Sequence, residues 1–360
     1  MNELKVLSYE LRQNVVDMIM SGKGGHIGGD MSMMDILTTL YFKVMNISPE
    51  NMDDPNRDRF ILSKGHSVET LYAVLAKKGF FPIEQVISEF SHFGSKFIGH
   101  PNNQLPGIEM NSGSLGHGLP VAVGMALAGK MDNAPYRTYV VMGDGELAEG
   151  SGWEGAMAAS HYKLDNLCAV VDRNRLQISG STEDVMHHDD LESRFSAFGW
   201  HVIQVDGHDY GALAAAFDEA KATKGMPTVL IANTVKGCGS SIMENKAGWH
   251  HHLPNAEEYA QITGSTEDVM HHDDLETRFA AFGWHVIQVD GHDYDALAAA
   301  FDEAKATKGM PTVLIANTVK GCGSSIMENK AGWHHHLPNA EEYAQIIADL
   351  AARKEAALHE

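Results

Sequence analysis

Residues 139–146 read Tyr139-Val140-Val141-Met142-Gly143-Asp144-Gly145-Glu146, and residues 168–177 read Cys168-Ala169-Val170-Val171-Asp172-Arg173-Asn174-Arg175-Leu176-Gln177. Each opens with a short apolar, β-branched run, the pattern of a strand buried on both faces. Two such strands, each ending in a carboxylate or amide, predict a ligand site at the carboxyl rim of a parallel sheet. The donors suit a magnesium diphosphate. Mg2+ takes hard oxygen ligands in an octahedron and is often held by a carboxylate or two plus phosphate oxygens. Asp144 offers a carboxylate, Asn174 an amide oxygen and Leu176 a backbone carbonyl. Gly143 and Gly145 keep the backbone thin, so a diphosphate can approach N–H groups and the next helix N-terminus. A lone Gly-Asp-Gly is as often a plain turn; the strand context and the spaced Asn174 favour the site.

The two segments resemble the thiamine-diphosphate enzymes, whose signature is Gly-Asp-Gly followed, after a gap of this length, by an asparagine. Arg173 stands where the family's second asparagine usually lies. The resemblance implies an α/β fold: a mostly parallel sheet with helices on both faces, the diphosphate-binding or PP-type domain. It implies thiamine diphosphate and Mg2+ as cofactors. Asp144, Asn174 and Leu176 would hold the metal, and Asp144, Gly145, Glu146 and Asn174 the cofactor.

The flanks narrow the resemblance to transketolases. Gly22–Gly29 is a glycine-rich loop similar to the one that carries a substrate-facing histidine, which would be His26. Phe60-Ile61-Leu62 is a short strand leading into Ser63-Lys64-Gly65-His66, and Gly99-His100-Pro101 matches a further histidine. His66 would lie against the cofactor diphosphate and substrate, and Gly113, Ser114 and Leu115 against the thiazolium and aminopyrimidine. After Trp249, His250 would contact diphosphate and substrate. Singly, each histidine would be an ordinary hydrogen-bonded residue. Together, in glycine turns and in family order, His26, His66, His100 and His250 read as catalytic, since neutral imidazoles can pass protons to sugar hydroxyls near pH 7. Glu149 and Glu154 match an acidic pair at the subunit interface.

Periodicity predicts helices over residues 4–20 and about 33–44, a polar loop over 49–59, and a small-residue helix to about Met131. Residues 177–260 then recur almost unchanged at 261–344, differing only at Ser179/Thr263, Ser193/Thr277, Ser196/Ala280 and Gly211/Asp295. Each copy predicts helix, strand, helix and strand, in the first copy at 191–198, 200–205, 212–222 and 228–234. Two near-identical half-domains are not a solenoid, whose repeats are shorter and more numerous. Only one copy can complete a sheet. The first is expected to do so, leaving the second with exposed Phe279, Trp284 and Leu297. The expected domains are 1–262, the duplicate 263–344, and a carboxyl-terminal helix 345–360. His334 is the twin of His250. The consecutive His250-His251-His252 cannot all reach one tetrahedral ion, so no zinc site is expected.

The chain has 360 residues, 44% hydrophobic, with a net charge of −21. That charge disfavours nucleic acid or an anionic membrane surface. No apolar run spans a bilayer, the start Met1-Asn2-Glu3-Leu4 lacks a signal-peptide pattern, and three cysteines argue against structural disulfides. A cytoplasmic location is expected.

The function implied by the resemblance is transfer of a two-carbon ketol unit from a ketose to an aldose, both sugar phosphates, by one subunit of a split transketolase. The glutamate that activates the aminopyrimidine belongs, in the family, to a following pyrimidine-binding domain. No candidate follows Asn255, so a carboxyl-terminal, pyrimidine-binding partner subunit is expected, in an α2β2 assembly. The rival readings are the α subunit of a 2-oxoacid dehydrogenase and a non-catalytic cofactor-binding subunit.

Overall fold

The structure, a computed structural model, describes residues 2–187, 190–264, 275–330, 333 and 336–358. The chain divides into two compact units, Met1–Pro254 and Asn255–Glu360.

The first unit is built on a parallel sheet of five strands: β1 (Arg59–Leu62), β2 (Thr138–Gly143), β3 (Leu167–Arg173), β4 (His201–Asp206) and β5 (Thr228–Asn233). Their spatial order is β1-β2-β3-β5-β4, and every pairing is parallel. The apolar runs that decided the fold are β2 and β3, in register from Thr138 opposite Leu167 to Gly143 opposite Asp172.

Helices α1 (Asn2–Gly22), α2 (Ile27–Thr39), α3 (Val68–Lys77), α4 (Ile83–Glu89), α5 (Gly118–Met131), α6 (Gly150–His161), α7 (Thr182–Val185), α8 (Leu191–Ala197) and α9 (Tyr210–Ala222) complete the unit. Side-chain alternation along the strands explains the two layers. Ile61, Val140, Met142, Ala169, Val171, Val229 and Ile231 pack in one core with residues of α5, α6 and α8. Their neighbours point the other way: Phe60 meets Tyr41, just beyond α2, and Tyr139 meets Phe217 of α9.

Two local expectations change. The second helix begins at Ile27, not near Met33, so Gly28 and Gly29 are helical. Bare backbone is needed there, because a Cβ on Gly28 would lie 2.8 Å from the Trp249 carbonyl. The 49–59 loop contains a 3-10 turn at Pro49–Asn51, and strand β1 begins at Arg59.

The first repeat copy completes this sheet, because β5 pairs with β3 from Cys168 opposite Thr228 to Arg173 opposite Asn233. Side chains lock it. Trp200 Nε1 donates to the Ala156 carbonyl at 2.9 Å. Buried Asp35 on α2 takes both arms of Arg12 at 2.9 Å, the Tyr210 hydroxyl at 2.6 Å and His208 Nδ1 at 2.7 Å.

The second unit contains α10 (Ala256–Gly264), α11 (Leu275–Ala281), β6 (His285–Asp290), α12 (Tyr294–Ala306), β7 (Thr312–Asn317) and α13 (Ala340–Ala357). Strands β6 and β7 form a two-stranded parallel sheet. Its exposed apolar set differs from the expected one. Trp284 is exposed, but Phe279 and Leu297 are half-buried within the small α/β layer, and Phe279 packs on Trp284. Phe282, Tyr294 and Phe301 carry the exposed area instead. His334 lies outside the described residues.

Candidate functional site

Parallel topology puts the carboxyl ends of β1, β2, β3 and β5 on one rim, where ligands of open α/β sheets bind. Ser63–His66 follows β1, Gly143–Glu146 closes β2, Asn174–Gln177 follows β3, and Lys236 follows β5.

Asp144 is buried, and it organises the turn after β3. Its Oδ1 accepts the Gly145 N–H at 2.8 Å; its Oδ2 accepts the Arg175 N–H at 2.7 Å and the Thr182 hydroxyl at 3.2 Å. Asn174 Oδ1 accepts the Leu176 N–H at 3.1 Å, and its amide donates to Ser32 Oγ at 3.1 Å. The Leu176 carbonyl accepts from Lys236 Nζ at 3.1 Å. Carboxylate, amide oxygen and carbonyl therefore belong to one hydrogen-bonded turn, and an ammonium already rests on one of the three. Burial, and then Asp172, pushes the Asp144 pKa up. A hard cation here would offset that penalty, so the donor set fits Mg2+.

Glu146 is enclosed. It accepts from the Ser63 hydroxyl, from Gly116 N–H at 2.8 Å and from Gly143 N–H at 3.0 Å. It braces three rim loops against one another. Gly116 has a φ of +80°, and a Cβ there would strike Glu149, so that corner needs glycine.

The predicted histidines converge. The His26 ring lies 5.1 Å from His66, 6.2 Å from His100 and 5.5 Å from His250, centroid to centroid. His66 and His250 are 5.6 Å apart. His26 is the residue before α2, His66 lies two residues before α3, and His250 ends a 3-10 turn, Ala247–His250. Burial, reinforced by neighbouring imidazoles and lysines, lowers His26 and His250 to about 3 and His66 to about 2; burial also lowers His100. All four are neutral at pH 7, so each ring can donate one hydrogen bond and accept another. Gly113 lies against His100: a Cβ there would be 3.3 Å from its ring. Ser114 Oγ is 3.2 Å from His117 Nδ1, and Leu115 is half-buried beside it. Glu149 and Glu154 are exposed, at the start and on the outer side of α6.

Four site residues escaped the sequence reading. Lys64 Nζ donates to Asp172 Oδ2 at 2.6 Å and to the Gly29 carbonyl at 3.0 Å, a fully buried ion pair. Lys236 Nζ also lies 2.8 Å from His250 Nδ1. The His251 ring lies 4.0 Å from that of His26, tilted by 56°, and nitrogens of His26, His250 and His251 lie within 4.8 Å of one another. The available signal was position: Lys64 and Lys236 each stand beside a glycine just past a strand end, and Asp172 closes β3.

A carboxylate-amide-carbonyl turn, two lysines and a ring of neutral histidines thus share one rim. The family profile described as "Transketolase, thiamine diphosphate binding domain" matches residues 5–262 and again 255–355. The chain belongs to this transketolase family. It is 49% identical over 258 residues to one subunit of the apulose-4-phosphate transketolase of Phocaeicola vulgatus, covering 72% of this chain and 92% of that one. It is 44% identical over 227 residues to one subunit of the 6-deoxy-6-sulfo-D-fructose transketolase of Clostridium sp. strain MSTE9, covering 63% and 82%. A solved transketolase from Leishmania mexicana superposes with a TM-score of 0.68 at 33% identity, over 72% of this chain but 40% of that one. The chain therefore spans about two-fifths of an undivided transketolase, and nearly all of the Phocaeicola polypeptide. Among the described residues no helix is long and apolar enough to cross a membrane.

Proposed function

We propose that this chain is the diphosphate-binding subunit of a split transketolase, which moves a two-carbon ketol unit from a ketose to an aldose when a pyrimidine-binding subunit caps the rim. The observation that carries the reading is the convergence of His26, His66, His100 and His250 beside the Asp144–Leu176 turn. Bound thiamine diphosphate would supply the carbanion chemistry that splits and remakes the carbon–carbon bond. The chain's own residues would do the rest. Asp144, Asn174 and the Leu176 carbonyl would hold Mg2+, and Lys64, Lys236 and the Gly145 backbone would face the diphosphate. Gly113, Ser114 and Leu115 would line the ring-binding side. The four neutral histidines would bind sugar hydroxyls and take or return their protons.

The named relatives act on apulose 4-phosphate and on a 6-sulfonated fructose, so the substrates proposed here are sugars carrying an anionic tail. Glu149 and Glu154, with exposed Val121 on α5 and Met157 on α6, are the proposed contact for other subunits.

The test is ketol transfer with saturating Mg2+ and thiamine diphosphate, by the isolated chain and by the chain with its partner subunit. Turnover should need both chains; robust turnover by this chain alone would overturn the split reading. Within the complex, His100→Ala should lower kcat more than it weakens cofactor binding. An unchanged specific activity would reduce His100 to packing.

A further inference from the structure

Beneath the histidines lie two acids that the cofactor reading leaves unused. Asp30 sits in the first turn of α2 and Glu69 in the first turn of α3, both fully buried. Neither helix is capped by the side chain of its own preceding residue, His26 or Ser67. The caps cross over instead. Asp30 Oδ1 accepts the Thr70 N–H at 2.8 Å and the Thr70 hydroxyl at 2.9 Å, at the start of α3. Glu69 Oε1 accepts the His26 N–H at 3.2 Å, at the start of α2. Glu69 is wedged there, since a Cβ on Gly25 would strike that same oxygen.

The other two oxygens, Asp30 Oδ2 and Glu69 Oε2, are buried and find no N–H or O–H donor among the described residues. The two acids are close enough to interact: burial raises both carboxyl groups, and the neighbouring Asp30 charge raises Glu69 further. Two adjacent buried carboxylates cannot both ionise, so a proton stays with the pair. Among the described residues neither acid has an ion-pair partner, although the Lys64 charge acts on Asp30 from a distance. Lys64 is committed to Asp172, the Tyr72 hydroxyl donates to the carbonyls of Ile98 and His100, and the His26 ring is neutral. One shared negative charge at two helix N-termini is, by contrast, favourable.

We propose that Asp30 and Glu69 share a single proton and act as a positioning pair, cross-capping α2 and α3 so that His26 and His66 are held ring to ring. Each helix thereby fixes the loop that presents the other's histidine. The positioning role rests on the reading of His26 as substrate-facing; the shared proton does not.

The test uses the enzyme assembled with its partner subunit. Infrared spectra at pH 7 should contain a carboxylic-acid C=O stretch that disappears in Glu69→Gln and in Asp30→Asn, where the remaining acid is ionised. Glu69→Gln supplies both an acceptor and a donor and should keep the native kcat. Glu69→Ala should lower kcat roughly 10- to 100-fold, the scale of a misplaced catalytic group, with the dissociation constant for thiamine diphosphate unchanged. Glu69→Met fills the space without an acceptor and serves if Glu69→Ala fails to fold. Absence of the acid band in the native enzyme overturns the shared proton. Native kcat in Glu69→Ala or Glu69→Met, while His26→Ala is slow, overturns the positioning role. If His26→Ala is also unimpaired, the reading of His26 falls and takes that role with it.

Discussion

Lys236 donates its ammonium to the Leu176 carbonyl at 3.1 Å, joining the loop after β5 to the turn after β3. Burial, and then the like charge of Lys64, lowers its pKa to about 8. It forms no ion pair with a carboxylate among the described residues. A buried cation held only by carbonyls and an imidazole gains from an incoming anion. Lys236→Met keeps the stem and removes the charge. It should weaken thiamine diphosphate binding by about 10- to 100-fold, the worth of a charged hydrogen bond. Calorimetry on the folded variant measures this, and native affinity would exclude Lys236 from the diphosphate site.

A substitution at Asp144 would separate the proposed metal binding from folding. Asp144→Asn keeps an acceptor for the Gly145 or Arg175 N–H yet loses the carboxylate. Its melting temperature should stay near native while Mg2+-dependent cofactor affinity disappears. In the native chain the raised Asp144 pKa makes the same affinity fall on acidification earlier than an ordinary carboxylate would. Mg2+-dependent binding that survives Asp144→Asn would show that the metal is held elsewhere.

The histidine cluster sets a direction for stability against pH. His26, His66 and His250 have folded pKa values of about 3, 2 and 3, below the roughly 6.5 of a free imidazole. Above pH 6.5 they are neutral in both states and contribute nothing. As pH falls below that value the unfolded chain takes up protons that the folded chain refuses, and stability is lost towards pH 3. Urea melts between pH 7 and pH 4 should show this slope, flattened in His66→Gln. A slope unchanged by that variant would mean that His66 titrates normally in the fold.

The strands and the candidate site were legible in the sequence for one reason. β2 and β3 are buried on both faces, so their apolar runs are unbroken, and the candidate site begins where the runs end. The histidines were legible through their glycine turns. Helix α3 was not legible: it follows the Ser63–His66 turn directly and buries Glu69 and Thr70, polar residues that break its apolar stripe. Those residues are inside because Asp30 and the His26 amide satisfy them across 40 or more positions of chain, and no local pattern encodes such a partner. Lys64 and Lys236 were hidden similarly, since a buried lysine is exceptional until its partners are known. Repeat arithmetic could not say which copy docks; the pairing of β3 with β5 does.

The duplication permits a controlled comparison of one residue in two settings. Phe217 and Phe301 occupy identical sequence, Ala-Ala-Ala-Phe-Asp-Glu-Ala, yet Phe217 is 0% exposed against Tyr139 and Phe301 is 55% exposed. Trp200 and Trp284 repeat the contrast at 4% and 37%, and Tyr210 and Tyr294 at 8% and 87%. Local propensity is the same in both copies, so any difference in mutational cost measures packing alone. Phe217→Ala should destabilise the first unit by about 3–5 kcal/mol, the cost of emptying an aromatic site in a core. Phe301→Ala should leave that unit within about 0.5 kcal/mol of native, as an exposed position does. Deleting 261–344 should likewise preserve cofactor binding and reduce aggregation, because it removes the exposed Phe282, Trp284, Tyr294 and Phe301. Denaturant melts of the two point variants decide the matter. Equal costs, or a Phe217→Ala chain as stable as native, would mean that the second copy takes the place of the first beside β3. Loop length would not forbid that exchange, since each doubling of a loop costs only about 0.6 kcal/mol.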